Sequence, residues 1–387
     1  MRRSAGWVIA ACTLLALGGA ASAKPPSTNP PTVRAVAADL PAARVAAVRE
    51  QAGTTDAVHR SLDYVSERHS LTLSYPGASY VKVHFSRLRL LPGDWLTVAD
   101  ATGGQSRTYR FGLSDQWAMS VDGDTAVLTL HGDLARLTGY GVDVDQVAHG
   151  FTAQENAARR HRPESVCGGN DSADAVCYRS SDPVAYANSR AVARLLINGN
   201  ELCSAWRVGP GNRMLTNHHC FTSTLDARNT EVWFNYECAV CGGWATLRPT
   251  KVPGDRVLAT DATLDFTLFT VQNFATIQGF GYLSLDVRDP AAGEELYIAE
   301  HPGGDPTVLA ISSDRDRGGN CRVGNPAADG YGPGTDVSYW CDTAGGSSGS
   351  PVLSRLTNRV IALHHFGGCP NAGVRIDLIY PRIASLL

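Results

Sequence analysis

The chain has 387 residues, 43% of them hydrophobic and 18% charged, with a formal net charge of −3. That length accommodates at least two domains with sizeable cores. The near balance of charge gives no electrostatic case for binding nucleic acid or an anionic membrane surface.

Arg2 and Arg3 precede an apolar run from Trp7 to Leu17, and Ala21-Ser22-Ala23 follows. A basic start, an apolar stretch too short to span a bilayer and an A-x-A site predict a signal peptide over 1–23, cleaved after Ala23. No later apolar stretch is long enough for a membrane span, so export to the outside of the cell is expected. Cysteine usage agrees. Of ten cysteines, Cys12 would leave with the signal, and the rest all lie from Cys167 onward. That pattern reads as a disulfide framework in an oxidising compartment. The remainder is an odd number, so one thiol stays free or pairs outside the chain.

Residues 24–58 begin Pro-rich and turn Ala/Val/Arg-rich, which predicts a flexible leader or pro-segment ending in a short helical piece. From 59 to 150 short alternating runs dominate: Leu71 to Tyr75, Tyr80 to Phe85, Trp95 to Val98, Thr108 to Phe111 and Ala126 to Leu130. Pro76-Gly77, Pro92-Gly93, Gly103-Gly104, Asp122-Gly123 and Gly132-Asp133 separate them. This spacing predicts an antiparallel β-sandwich or jelly roll. The stretch from Tyr80 to Phe85, leading into Leu91-Pro92-Gly93-Asp94-Trp95-Leu96, resembles the CUB-like sandwiches of extracellular proteins. Residues 151–166 are polar and charged and predict an exposed linker open to proteolysis. Glu164 there suits self-cleavage by an acid-specific enzyme, and Arg160 by a base-specific one. Residues 167–387 form one cysteine-bearing all-β unit.

Two segments of that unit carry chemistry. His219 follows the strand-like Met214-Leu215-Thr216 and precedes Cys220, while Cys203 sits in another strand-like run, Leu202 to Val208. A Cys203–Cys220 bridge would close a loop of about seventeen residues, stabilise by roughly 3 kcal/mol, and fix the turn bearing the imidazole. Far downstream, Gly345-Gly346-Ser347-Ser348-Gly349-Ser350-Pro351 places a serine on a glycine-flanked turn. There a hydroxyl can stand clear while the N–H groups of Gly346 and Ser348 form an oxyanion hole. A nucleophile and a base need a third group to orient the imidazole. Asp265, at the head of the alternating run Phe266 to Val271, is a carboxylate with apolar flanks whose burial demands a partner. Asp261, in a looser loop, is its rival.

With His219, Asp265 and Ser348 in that order, the chain resembles the trypsin-like (chymotrypsin-fold) serine endopeptidases. Asn217-His218-His219-Cys220, Leu264-Asp265-Phe266-Thr267-Leu268 and Gly346-Ser347-Ser348-Gly349-Ser350-Pro351 carry the likeness. It implies a double β-barrel with the site between the barrels, after the sandwich. Ser347 departs from the animal digestive enzymes, which carry an aspartate there for an ion-pair activation switch. Bacterial lysyl and glutamyl endopeptidases are more similar, and His301-Pro302-Gly303-Gly304-Asp305-Pro306 looks like another of their loops. By that analogy Cys167 pairs with Cys369, Cys177 with Cys238 or Cys241, and Cys321 with Cys341, leaving Cys238 or Cys241 unpaired. Cys238-x-x-Cys241 lacks a second ligand pair, so no metal or cofactor is expected.

The specificity pocket has two readings. By the resemblance Asp342 lies at its base, and an unpaired buried carboxylate there would favour Lys or Arg at P1, which is the preferred reading. Thr343 and His364 instead resemble the pair that receives an acidic side chain in the glutamyl enzymes. Asp377, inside a strand-like run from Gly373 to Leu378, is no convincing alternative. The chain is thus expected to be a secreted, monomeric serine endopeptidase acting on proteins or peptides. The competing possibilities are acidic P1 specificity and an extracellular binding protein with an inactive peptidase-like domain.

Overall fold

The computed structural model describes residues 49–387, apart from 67–68, 111, 113, 133–137 and 160–164. The predicted signal peptide with its cleavage site, and most of the predicted leader, lie outside the described residues.

The sandwich consists of two antiparallel sheets. One runs Gly53–Asp63, Gly141–Gly150, Tyr80–Arg89 and Gln116–Trp117, with Val121–Asp122 also on Tyr80–Arg89. The other runs Ser70–Ser74, Thr125–His131, Trp95–Asp100 and Ser106–Tyr109. In Thr125–His131 the residues Ala126, Leu128 and Leu130 are buried while their neighbours are half-buried, the period of two that puts alternate side chains on opposite faces. They meet Val83, Phe85, Leu96, Val98, Val142 and Val144 from both sheets in one core. The strand Gly53–Asp63 begins ahead of position 59, so the sheet takes in the end of the predicted leader.

The cysteine-bearing unit follows with two sheets. Six strands close the first into a barrel: Val192–Ile197, Glu201–Arg207, Met214–Thr216, Glu231–Phe234, Thr250–Asp261 and Phe266–Val271. Pairing of Glu201–Arg207 with Met214–Thr216 completes the ring. The second sheet is seven-stranded, in the order Ala173–Asp174, Val308–Ala310, Leu296–Glu300, Pro351–Ser354, Val360–Phe366, Asn371–Arg375, Asp336–Tyr339. Alternate residues of a strand serve different cores. Phe269 joins Leu195 and Phe234 inside the first barrel, and Leu268 joins Leu215, Leu353 and Leu363 in the core shared by both sheets. This doubling explains why Phe266–Val271 and Val360–Phe366 are buried along their whole length.

The sandwich is bonded to the first barrel through charged groups with almost no water access. Lys82 and Glu231 pair at 2.8 Å with side chains 1% exposed. Ser120 N–H donates to the same carboxylate at 2.6 Å, Trp117 N–H donates to Asn229 Oδ1 at 3.0 Å, and Tyr80 OH donates to Gly199 O at 2.7 Å. Burial alone would raise the Glu231 carboxyl, but Lys82 and Lys251 overcome it and bring it down to about 2. Glu50–Gln51 adds a further link, pairing with Leu202 and Glu201 on the barrel strand.

One segment takes a form that the sequence reading left open, and one local expectation is corrected. The predicted linker contains a helix, Ala153–Arg159, started by a capping box in which Glu155 N–H donates to Thr152 Oγ1 and Thr152 N–H to Glu155 Oε2. Asp377 does not sit in a strand. The strand stops at Arg375, and Asp377 lies in the first turn of the helix Ile376–Ile383, paired with Arg375 at 2.7 Å.

Candidate active site

The buried strand Met214–Thr216 leads into Asn217-His218-His219. Thr216 Oγ1 donates to Ser204 O at 2.8 Å and Asn217 Nδ2 donates to Asp265 O at 2.8 Å. The Cys203–Cys220 disulfide ties the next residue to the neighbouring strand. The backbone around His219 is therefore held on both sides.

Asp265 stands immediately before the strand Phe266–Val271 with φ of +41°, the left-handed region that aspartate tolerates better than most residues. Its Oδ1 accepts the His219 backbone N–H at 2.9 Å, and its Oδ2 lies 2.8 Å from His219 Nδ1. Burial would raise this carboxyl, yet hydrogen bonds from His219 and His365 hold it well below the usual carboxylate range. An ionised carboxylate on Nδ1 keeps the proton there and leaves Nε2 as the basic nitrogen. Nε2 is buried and has no hydrogen-bond partner among the described residues. Asp261, the rival carboxylate, accepts the N–H groups of Thr263 and Leu264 at 2.8 and 3.0 Å, closing the preceding turn.

The serine turn is fastened between two strands. Ser204 N–H donates to Ser348 O at 2.7 Å, and Gly349 N–H donates to His364 O at 2.9 Å. Gly346 and Gly349 have φ of +93° and +89°. A Cβ at Gly349 would run into Ser204 O and the Thr216 hydroxyl, so the glycine permits the close approach to the strand pair that leads to His219. Ser347 N–H is used by Ala344 O at 3.0 Å. The N–H groups of Gly346 and Ser348 have no acceptor among the described residues. Ser348 itself is 8% exposed.

The loop after Leu296–Glu300 braces this turn. Gly303 N–H donates to Gly345 O at 2.6 Å, and Ser204 Oγ donates to Gly346 O at 2.9 Å while receiving His301 N–H at 3.3 Å. His301 is buried, which pushes its imidazole down to about 3, and its Nδ1–H donates to Asp305 O at 2.9 Å. Glu300 lies buried next to it. Burial pushes its carboxyl up to about 8, with the Asp342 carboxylate adding to the rise and the Ser347 hydroxyl opposing it.

The three pocket candidates all have internal partners. Asp342 Oδ1 accepts Cys167 N–H at 2.9 Å and Oδ2 accepts Asp171 N–H at 2.7 Å. The carboxylate therefore tethers the start of the cysteine-bearing unit, and the premise that it is unpaired fails. Thr343 Oγ1 donates to Asn371 Oδ1 at 3.1 Å, and His364 Nδ1 lies 2.8 Å from the Tyr339 hydroxyl. Burial pushes His364 down to about 3, so its ring is neutral at ordinary pH.

Disulfides join Cys167 to Cys369, Cys177 to Cys241, Cys203 to Cys220 and Cys321 to Cys341, and Cys238 is a buried free thiol. Among the described residues, donor atoms of Cys203, His219 and Cys220 lie close enough together for a metal ion, but the two sulfurs are bonded to each other.

Sequence reasoning missed His365, Asp336 and Asn371. His365 Nδ1 lies 3.1 Å from Asp265 Oδ2 and its Nε2 2.7 Å from Asp336 Oδ2. Strand alternation was the available signal, since His364 and His365 must face opposite ways. Nothing in the run Thr335-Asp336-Val337 announces a partner for either.

The family profile of the trypsin-like peptidase domain matches residues 203–363. The chain is also 31% identical over 320 residues to secreted RxLR effector protein 73 of Plasmopara viticola, covering 77% of each protein. The chain belongs to one family with that effector and carries a trypsin-like peptidase domain. It is 28% identical over 195 residues to the uncharacterized protein y4fB of Sinorhizobium fredii, covering 46% of this chain and 28% of that protein. Among solved structures, it is similar to a Glu endopeptidase in complex with MPD, with 17% identity and a TM-score of 0.41 over 57% of this chain and all of that one. A serine endoprotease from Yersinia pestis is similar at 13% identity and a TM-score of 0.39, over 54% of this chain and 66% of that one.

Proposed function

We propose that this member of the family is a secreted serine endopeptidase in which Ser348 is the nucleophile, His219 the general base and acid, and Asp265 the carboxylate that orients it. The observation that carries the reading is the double grip of Asp265 on His219, at its backbone N–H and its Nδ1. That grip leaves Nε2 buried and unpartnered, with the serine turn bonded to the strand of Cys203.

Ser348 Oγ attacks the scissile carbonyl carbon and its proton passes to His219 Nε2. The carbonyl π electrons move onto oxygen, where the N–H groups of Gly346 and Ser348 receive the charge. Losing one such donor costs about 3 kcal/mol of transition-state stabilisation in comparable sites. Collapse of this intermediate expels the amine, which takes the proton from His219, and leaves an ester on Ser348. Water then attacks the ester with His219 again as base, releasing the acid and restoring the hydroxyl.

The preference for Lys or Arg at P1 loses its support, because both Asp342 oxygens are already engaged by backbone N–H groups. The Thr343 hydroxyl and His364 Nδ1 are likewise engaged, and burial keeps the His364 ring neutral, so the pair offers no positive charge to an acidic P1 side chain. Export through a signal peptide over 1–23 and disulfide formation outside the cytoplasm complete the reading. The Lys82–Glu231 pair and the hydrogen bonds around it favour retention of the sandwich over its removal, since separation would break all of these contacts at once. A casein-type assay on purified chain tests the activity. Ser348→Ala should abolish hydrolysis, and undiminished turnover in that variant would end the proposal.

A further inference from the structure

Behind Asp265 the structure holds a second imidazole and a second carboxylate. Asp336 and His365 lie on the strands Asp336–Tyr339 and Val360–Phe366, and His365 bridges Asp265 Oδ2 at 3.1 Å and Asp336 Oδ2 at 2.7 Å. The side chains are 0% exposed for His365 and Asp336 and 1% for Asp265. Bulk solvent therefore does not reach them.

A neutral imidazole carries one N–H, so it could donate to only one of the two carboxylates. The other carboxylate oxygen would face a lone pair in a buried site, a repulsion that the hydrogen bonds from His219 to Asp265 and from Thr335 Oγ1 to Asp336 Oδ1 do not remove. The imidazolium form has two N–H groups and satisfies both. Burial opposes that charge, but the hydrogen bonds to Asp265 and Asp336 outweigh it and raise His365 above the ordinary imidazole range. The other groups near this imidazole do not replace the two carboxylates. The Tyr331 ring stands edge-on at 5.8 Å, the neutral His364 points to Tyr339, and His219 lies beyond Asp265.

The geometry points to His365 and Asp336 as a positioning pair for the proposed reaction: a buried imidazolium locks Asp265 in place, and Asp336 compensates its charge. The inference rests on the triad reading. Asp265, His365⁺ and Asp336 together carry one net negative charge, which is what favours the imidazolium that forms on His219 as Ser348 attacks. Without Asp336 the charged His365 would cancel Asp265, and without His365 two carboxylates would act together.

Two substitutions should therefore move the acidic limb of the kcat/KM profile in opposite directions. His365→Gln leaves two carboxylates and should shift the limb up by about one pH unit, and Asp336→Asn should shift it down by a similar amount. In both, kcat should fall about tenfold or more with KM nearly unchanged. A limb that stays put or moves the other way in either variant overturns the inference, whereas Ser348→Ala retaining activity would instead overturn the triad reading itself. If His365→Gln does not fold, ¹⁵N shifts of labelled histidine in the Ser348→Ala protein give an activity-independent answer. Both ring nitrogens of His365 should stay protonated to a higher pH than in a free imidazole, and a ring that loses its proton at or below the ordinary imidazole value sinks the proposal.

Discussion

Glu300 offers a prediction whose size follows from its surroundings. Its side chain is buried beside the serine turn, and its carboxyl is pushed up to about 8, against about 4.3 in an unfolded chain. Between those two values the folded protein keeps a proton that the unfolded chain has released. Stability from this group is therefore fully present below about pH 4.3 and falls as pH rises, levelling off above about 8. At about 1.4 kcal/mol per unit, the loss between pH 5 and 8 is roughly 3–4 kcal/mol. Glu300→Gln keeps the shape and a neutral polar head but cannot ionise. The stability of the variant relative to the wild type should rise by about 3–4 kcal/mol between pH 5 and pH 8. Urea unfolding at both pH values measures this directly. A stability difference that is the same at pH 5 and pH 8 would refute the reasoning, because it would mean that Glu300 titrates alike in the two states.

Three further outcomes follow. Lys82→Ala strands the Glu231 carboxylate between sandwich and barrel and should destabilise by about 3–5 kcal/mol in urea or thermal unfolding; a change within 0.5 kcal/mol, roughly that of an ordinary surface substitution, would argue against a buried pair. Asp342→Asn loses charge-assisted hydrogen bonds to Cys167 and Asp171 and should cost about 1–3 kcal/mol while leaving P1 selectivity unaltered in a peptide library; a selective loss of cleavage after Lys or Arg would restore Asp342 as the pocket's counter-charge. Amino-terminal sequencing of the secreted chain should find the sandwich still attached, with a start at or soon after Lys24; a start near Ser165 or Val166 would mean that it is removed.

The sheets and the three catalytic candidates were legible for different reasons. Sandwich strands such as Thr125–His131 show themselves because one face is buried and the other is not. Gly53–Asp63 does not, since most of its residues are exposed or half-buried and its polar sequence lacks alternation. His219, Asp265 and Ser348 stand out through local context: a cysteine bridge, an apolar strand and a glycine turn. The partners of Asp342 were not legible, because they are backbone N–H groups of residues 167 and 171, and backbone partners leave no trace in side-chain patterns. His365 and Asp336 were invisible for a related reason, as register between the strands Asp336–Tyr339, Asn371–Arg375 and Val360–Phe366 brings them together. The helix Ala153–Arg159 could have been read from Thr152-x-x-Glu155, a capping box lost among surrounding charges.

The most direct test of the account is covalent labelling with a fluorophosphonate followed by peptide mapping. A single adduct on Ser348 is predicted, formed in the wild-type chain and lost in His219→Ala. Peptide hydrolysis that proceeds with Ser348 unlabelled, or with the adduct on another residue, would contradict it.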